Sequence, residues 1–165
     1  MHDSLLDLYI LSLFIRGFET AYDLQKEGKI SLGSSVPSLR RMEASGLICR
    51  KASQESSKRK RRAFAVTAKG KQTVSTSFRG LLYAATPSDL DAILRTTDIL
   101  RTNCVPPREI SEFLTRAAAE RTALARKIDS TDPDPTPGLE YLANRHAWDL
   151  TRLRTEARFL LKLAK

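Results

Sequence analysis

Cysteine and histidine are nearly missing from this chain, with two of each in 165 residues. Cys49 and Cys104 cannot build a disulfide framework, and a reduced, cytoplasmic setting suits them better. No pair of either residue type has metal-ligand spacing, so no metal site is expected. His2 stands in a terminus expected to fray. His146 falls among aliphatic residues, where a hydrogen-bonded core or interface histidine is the plain reading. There is no glycine loop to cradle a phosphate and no G-x-S-x-G turn to carry a nucleophile. No cofactor and no catalytic residue are therefore expected, and carboxylate chemistry is the enzyme class left open. Long apolar runs are lacking too. The longest, Leu5 to Ile15, is broken by Asp7 and falls short of the ~20 residues that span a bilayer. No Lys or Arg precedes it and no small-x-small cleavage site follows, unlike a signal peptide.

Acidic residues are the other shortage. The chain has 28 Lys and Arg against 19 Asp and Glu, for a formal charge of +9. Residues 1–80 hold 15 basic and 7 acidic side chains, a net of +8, so nearly all the excess lies in the first half. Within it, the stretch from Arg50 to Arg62 holds Lys51, Lys58, Arg59, Lys60 and Arg61 against the single acid Glu55. Like charges repel when clustered unless a polyanion meets them. The run reads either as a solvated face or as a polyanion-binding surface. Its confinement to one half argues for a basic N-terminal module and a near-neutral C-terminal one. With 41% apolar residues, both should bury a core.

Punctuation along the chain sets out the elements. Leu5 to Ile15 is apolar almost all round and predicts a helix buried on most sides, ended by Gly17. Thr20 caps a short second helix that stops at Gly28. A third helix is expected from about Ser34 to Ser45, with Pro37 in its first turn and Gly46 after it. Leu47 to Arg50 and Arg61 to Val66 read as two strands joined by a serine-rich polar turn, and Thr67 caps the next helix. Further on, Thr86-Pro87-Ser88-Asp89 is a helix-start signal with Thr86 at the cap. Leu90, Ile93, Leu94, Thr97, Leu100 and Cys104 make one apolar stripe. Ile110, Phe113, Leu114, Ala117, Leu124 and Ile128 make the next. Proline at 133, 135 and 137 stiffens a connector before a last helix of about residues 138–163.

Two helices, a tight connector, a third helix and a basic hairpin, in that order, describe a winged helix-turn-helix. On the third helix Ser35, Leu39 and Met42 are expected to pack inward. Ser34, Ser38 and Arg41 are expected to face outward, with Arg40 on the flank. A helix with a small, polar face can enter the ~12 Å major groove of DNA. The candidate DNA contacts are Ser34, Ser35, Val36, Ser38, Arg40 and Arg41 on that helix, with Lys58, Arg59, Lys60 and Arg61 on the wing against phosphate. Arg41 could reach guanine edges or phosphate.

These residues also resemble a known family. The stretches Ile10 to Tyr22, Gly33-Ser-Ser-Val-Pro-Ser-Leu-Arg-Arg-Met-Glu-Ala-Ser-Gly-Leu-Ile48 and Arg59-Lys-Arg-Arg-Ala-Phe-Ala-Val-Thr-Ala-Lys-Gly70 look like the PadR-like transcriptional regulators. Their pattern runs roughly I-L-G-L-L-x-x-G-P-x-H-G-Y, G-S-L-Y-P-x-L-R-R-L-E-x-x-G-L and R-P-R-R-Y-Y-x-L-T-x-x-G. The chain differs at Thr20-Ala21, where the pattern has His-Gly. It differs again at Val36, which replaces a tyrosine, and at Lys58-Arg59-Lys60, which replace Gly-x-Pro. The resemblance implies a repressor that pairs through C-terminal helices, binds double-stranded DNA and is often released by a small aromatic effector.

The last helix carries apolar residues on two faces. Leu139, Leu142, Ala143, His146, Leu150, Leu153, Ala157, Leu160 and Leu161 lie on one, and Tyr141, Trp148 and Phe159 on the other. A helix of this kind is expected to sit between its own subunit and a partner. Trp148 fits either interface packing or the wall of an effector pocket. The fold class expected is mainly α with a small β-hairpin wing. It comprises a winged helix-turn-helix domain over residues 1–84 and a helical dimerisation domain, open to an effector-sensing role, over residues 85–165. The function expected is a DNA-binding transcriptional regulator, a homodimer on a palindromic operator. The other classes weighed are a winged-helix protein-interaction module and a basic surface for membranes or for nucleic acid without sequence preference.

Overall fold

The computed structural model describes residues 4–51, 63–130 and 140–165. Helix α1 (Leu5–Ile15) starts at Ser4, whose side chain accepts a hydrogen bond from the Asp7 N–H, and ends where Gly17 takes φ +104°. Leu8, Ile10, Leu11, Leu13 and Phe14 are all buried, as its all-round apolar pattern requires. Helix α2 (Ala21–Lys26) opens on a capping box. The Asp23 N–H donates to Thr20 Oγ1 at 3.1 Å, and the Thr20 N–H donates back to Asp23 Oδ2 at 2.9 Å.

Helix α3 (Leu32–Ala44) starts two residues earlier than expected. Ser31 takes the cap by accepting from the Ser34 N–H at 3.2 Å, so Pro37 lies in the second turn instead of the first. The carbonyl that a proline leaves without a donor is four residues back. Here it belongs to Gly33, which is exposed, so water can satisfy it. Gly46, at φ +70°, turns the chain into β1 (Ile48–Arg50). Antiparallel to it runs β2 (Phe64–Val66), with Ile48 opposite Val66 and Arg50 opposite Phe64. The first strand starts one residue later than expected, although the Thr67 N–H donates to the Leu47 carbonyl at 3.0 Å and the Lys51 N–H to the Ala63 carbonyl at 3.0 Å in the same register. Arg61 and Arg62, expected in the second strand, lie outside the described residues. The segment before α2 also bonds to β2. Thr20 bridges Ala63, and the Phe64 N–H donates to the Glu19 carbonyl at 2.8 Å. The hairpin is thereby tied to the helical part by backbone bonds.

Helix α4 (Ala68–Tyr83) is capped by Thr67, as expected. Helix α5 (Leu90–Thr102) is capped by Asp89, which accepts from the Ala92 N–H at 3.1 Å, and not by Thr86. The Thr86 hydroxyl is instead buried without a hydrogen-bond partner. Helices α6 (Pro107–Asp129) and α7 (Glu140–Leu163) complete the chain. The fold is mostly helical with one two-stranded antiparallel hairpin, consistent with a winged helix.

The chain divides into two compact units. The first runs to Ala84 and includes Leu94–Val105; the second takes Ala85–Ile93 and everything from Pro106 on. In the first, Ile10, Leu11, Leu24, Met42, Ile48 and Val74 form the centre of one core, and Ile99 joins it. Phe14 and Phe64 stack with centroids 6.3 Å apart, which fixes the hairpin on α1. In the second, α6 and α7 run antiparallel. Ser111 Oγ donates to the Ala164 carbonyl at 2.6 Å near one end, and Arg154 pairs with Asp129 at 2.8 Å towards the other. Between them Arg121, 3% exposed, donates through Nε to Glu156 at 3.0 Å and through Nη2 to the Pro87 carbonyl at 3.1 Å. A buried guanidinium needs such partners, because leaving one unpaired costs several kcal/mol. The expected α6 stripe is corrected at one place. Leu124 is 46% exposed, and Arg121 and Ala125 take the inward positions around it.

Candidate nucleic-acid interface

Helix α3 packs through Ser35, Ser38, Leu39 and Met42, an i, i+3, i+4, i+7 stripe. Ser38 is therefore inward and 1% exposed, which corrects its expected place on the outer face. Ser35 is fully buried, and its hydroxyl has no hydrogen-bond partner. Neither serine presents a surface to a ligand in this conformation. Ser34, Val36, Arg40 and Arg41 are exposed, as the candidate contacts should be. At about 100° per residue, the side opposite the buried stripe is centred on Gly33, Pro37, Arg40 and Ala44. Val36 stands on one flank of that side and Arg41 on the other.

The two arginines differ in what holds them. Arg41 Nη2 donates to Asp7 Oδ1 at 2.9 Å and to Oδ2 at 3.1 Å, and it lies 3.1 Å from Ser38 Oγ. Asp7 projects from α1 and is 8% exposed, so this partner compensates a nearly buried carboxylate. The sequence signal for it was present. An acid inside an otherwise apolar helix must find a cation or a set of donors. Arg40, one residue earlier, has no acidic partner among the described residues.

At the hairpin base the basic run is already partly neutralised. Arg50 Nε lies 2.6 Å from Glu43 Oε1, and its Nη2 donates to Glu43 Oε2 at 3.2 Å, a two-point contact from β1 to the end of α3. Lys51 pairs with Glu19. Neither pair was expected from the sequence, which showed the cations in a row but not the acids folded against them. Lys58, Arg59, Lys60 and Arg61 lie outside the described residues. Beside Val36 and Arg40 opens a cavity of about 320 Å³, walled by Ala21, Val36, Leu39 and Phe64 and rimmed by the Arg50–Glu43 pair.

In the second unit Tyr141, Trp148 and Phe159 are exposed at 71%, 63% and 41%. Leu150, Leu153, Ala157 and Leu160 are buried on the other side of α7, whereas Leu161, expected with them, is 45% exposed. A second cavity, of about 300 Å³, is walled by Ala118, Ala119, Thr122, Ala123 and Leu161. The hydrogen bond that Arg145 donates to Asp149, and then the one with Tyr141, raise the pKa of the exposed guanidinium above the ordinary arginine value. Among the described residues no three of His, Cys, Asp and Glu are grouped so as to hold a metal ion. No described helix is long and apolar enough to cross a membrane.

No family model matches the chain, and no curated protein matches it. Among solved structures, the chain is similar to the crystal structure of Bacillus subtilis PadR in complex with operator DNA. That likeness covers 98% of each chain, at 17% identity and a TM-score of 0.40.

Proposed function

We propose that the chain is a sequence-specific regulator of transcription that binds double-stranded DNA, with α3 in the major groove and the hairpin along the backbone. The observation that carries this reading is the outward side of α3. It offers small residues, Gly33 and Ala44, around Arg40, which has no acidic partner among the described residues. Next to it stands a hairpin whose connecting segment concentrates Lys58, Arg59, Lys60 and Arg61. Small residues let a helix sink into the groove, and cations release counterions from the duplex. In this reading residues 1–84 are the DNA-binding domain and residues 85–165 the dimerisation domain. A homodimer forms through the exposed aromatics of α7, and it represses by occupying a two-fold operator in the cytoplasm. Trp148, at 63% exposure, suits an interface between copies better than the wall of an effector pocket.

A second reading has its own observation. Tyr22, Leu32 and Val36 are exposed at 44%, 43% and 37% on and beside α3, a patch that a protein partner could also cover. Fluorescence anisotropy of the full chain on labelled duplexes, from about 50 to 200 mM salt, separates the two. A DNA reader loses affinity steeply with salt and retains a preference for one short site. Salt-insensitive binding, or none, favours the protein-interaction module.

A further inference from the structure

If α3 enters the major groove, its exposed side chains differ in what they can offer a base edge. A guanidinium reads guanine with two N–H groups on one edge, pointed in parallel at O6 and N7. Both such edges include an Nη nitrogen shared with the rest of the fork. In Arg41 the Nη2 group is spent on Asp7, at 2.9 and 3.1 Å, with Ser38 Oγ at 3.1 Å. What remains, one N–H on Nε and the Nη1 group, does not make a parallel pair. The Asp7 carboxylate also cancels the charge that would draw Arg41 to phosphate. Arg41 moreover stands on the α1 flank of the helix, while Arg40 stands within about 30° of its outward pole. Arg40 keeps its whole fork, without an acidic partner among the described residues. Four residues before it, one turn along the same side, Val36 presents its two methyl groups beside the apolar cavity formed with Ala21, Leu39 and Phe64.

We propose that Arg40 and Val36 read the bases, Arg40 a guanine and Val36 the 5-methyl group of a nearby thymine, while Asp7 is a positioning residue that withholds Arg41 from base edges. Apolar contact with that methyl group is how thymine is told from cytosine in the major groove. This rests on the DNA-reading function proposed above.

The test starts from duplexes selected by the full-length chain out of a randomised library. If no duplex is enriched, the DNA reading itself fails, and this proposal with it. On the selected site and its single-base variants, Arg40→Ala should lower discrimination at one G·C pair by roughly ten-fold. Arg41→Ala should leave the preferences in place, with at most an even loss of affinity for all duplexes as the Asp7 carboxylate is uncovered. Replacing one thymine by deoxyuridine should cost the unaltered chain about four-fold, the worth of a buried methyl group, and should cost Val36→Ala nothing. Asp7→Asn should release Arg41, raise affinity for all duplexes and steepen the log K against log salt slope by about 0.9, the share of one further phosphate. An unchanged slope would show that Asp7 does not withhold Arg41. Should Asp7→Asn fail to fold, the exposed Arg40 and Arg41 still decide. If Arg41→Ala erases a base preference and Arg40→Ala only weakens binding evenly, the assignment is reversed and the proposal is wrong.

Discussion

At Gly70 the start of α4 passes so near the hairpin that a Cβ would lie 2.2 Å from the Leu47 carbonyl oxygen and 2.8 Å from Val66 Cγ1. The obstacle is mostly backbone, so the fold and not a rotamer would have to shift. Gly70→Ala is expected to destabilise the chain by about 1–3 kcal/mol, read as a fall in the denaturant midpoint. Gly80, in the same helix, has nothing within 4 Å of its Cβ position. Gly80→Ala should be neutral or stabilising by up to about 1 kcal/mol, through the entropy of the unfolded chain. Helical spacing alone does not separate the two positions, because the close approach at Gly70 comes from Leu47, more than 20 residues away. The same limit governed Arg41. Helical spacing put it near the exposed side, correctly, but the Asp7 carboxylate that occupies it comes from another helix. Ser38 failed for a different reason. It belongs to two overlapping i, i+3, i+4, i+7 sets, and spacing alone does not say which set is buried; the packing of Leu39 and Met42 does.

Elements were legible where a local signal was unambiguous. Thr20 with Asp23 and Thr67 with Gly70 cap α2 and α4 at the expected residues. Before α5 the expected cap Thr86 is displaced by Asp89, whose carboxylate, nearer the first turn, accepts from the Ala92 N–H. Least visible was the charge pair inside the second unit. Arg121 was not singled out in the sequence, yet it is sealed between helices by Glu156, whose side chain is 14% exposed. Glu156→Ala should cost about 3–5 kcal/mol by stranding a buried cation. The double replacement Arg121→Met with Glu156→Leu should recover most of that stability, and thermal unfolding of the three variants measures the difference. For the hairpin, the expectation remains one of charge. Replacing Lys58, Arg59 and Lys60 by Ala should weaken binding to all duplexes alike and flatten the log K against log salt slope by roughly 0.9 for each phosphate no longer neutralised. A slope that does not change would remove the wing from the interface.

For the whole molecule the central claim is a two-fold DNA reader. Two copies joined through α7 would turn two weak half-site interactions into one tight event by effective concentration. Cutting α7 away is a poor test, since it would uncover Arg121 and the apolar side of α6. Charged replacements at the exposed aromatics are cleaner. Trp148→Glu with Phe159→Glu should leave helix content unchanged and shift sedimentation from dimer to monomer at micromolar concentration. The lopsided charge, with +8 in residues 1–80, set a basic first part of the chain apart from a near-neutral remainder in the sequence. Which residues of α5 would join the first unit was not visible, because an amphipathic stripe does not name the core it enters. The most direct measurement is selection of randomised duplexes by the full-length chain at about 150 mM salt, followed by footprinting of the winners. A two-fold DNA reader should select one two-fold-symmetric site, with half-site centres one helical turn apart, about 34 Å or 10–10.5 base pairs. Enrichment of no sequence, or of a lone unsymmetric half-site bound as tightly as the full one, would contradict it.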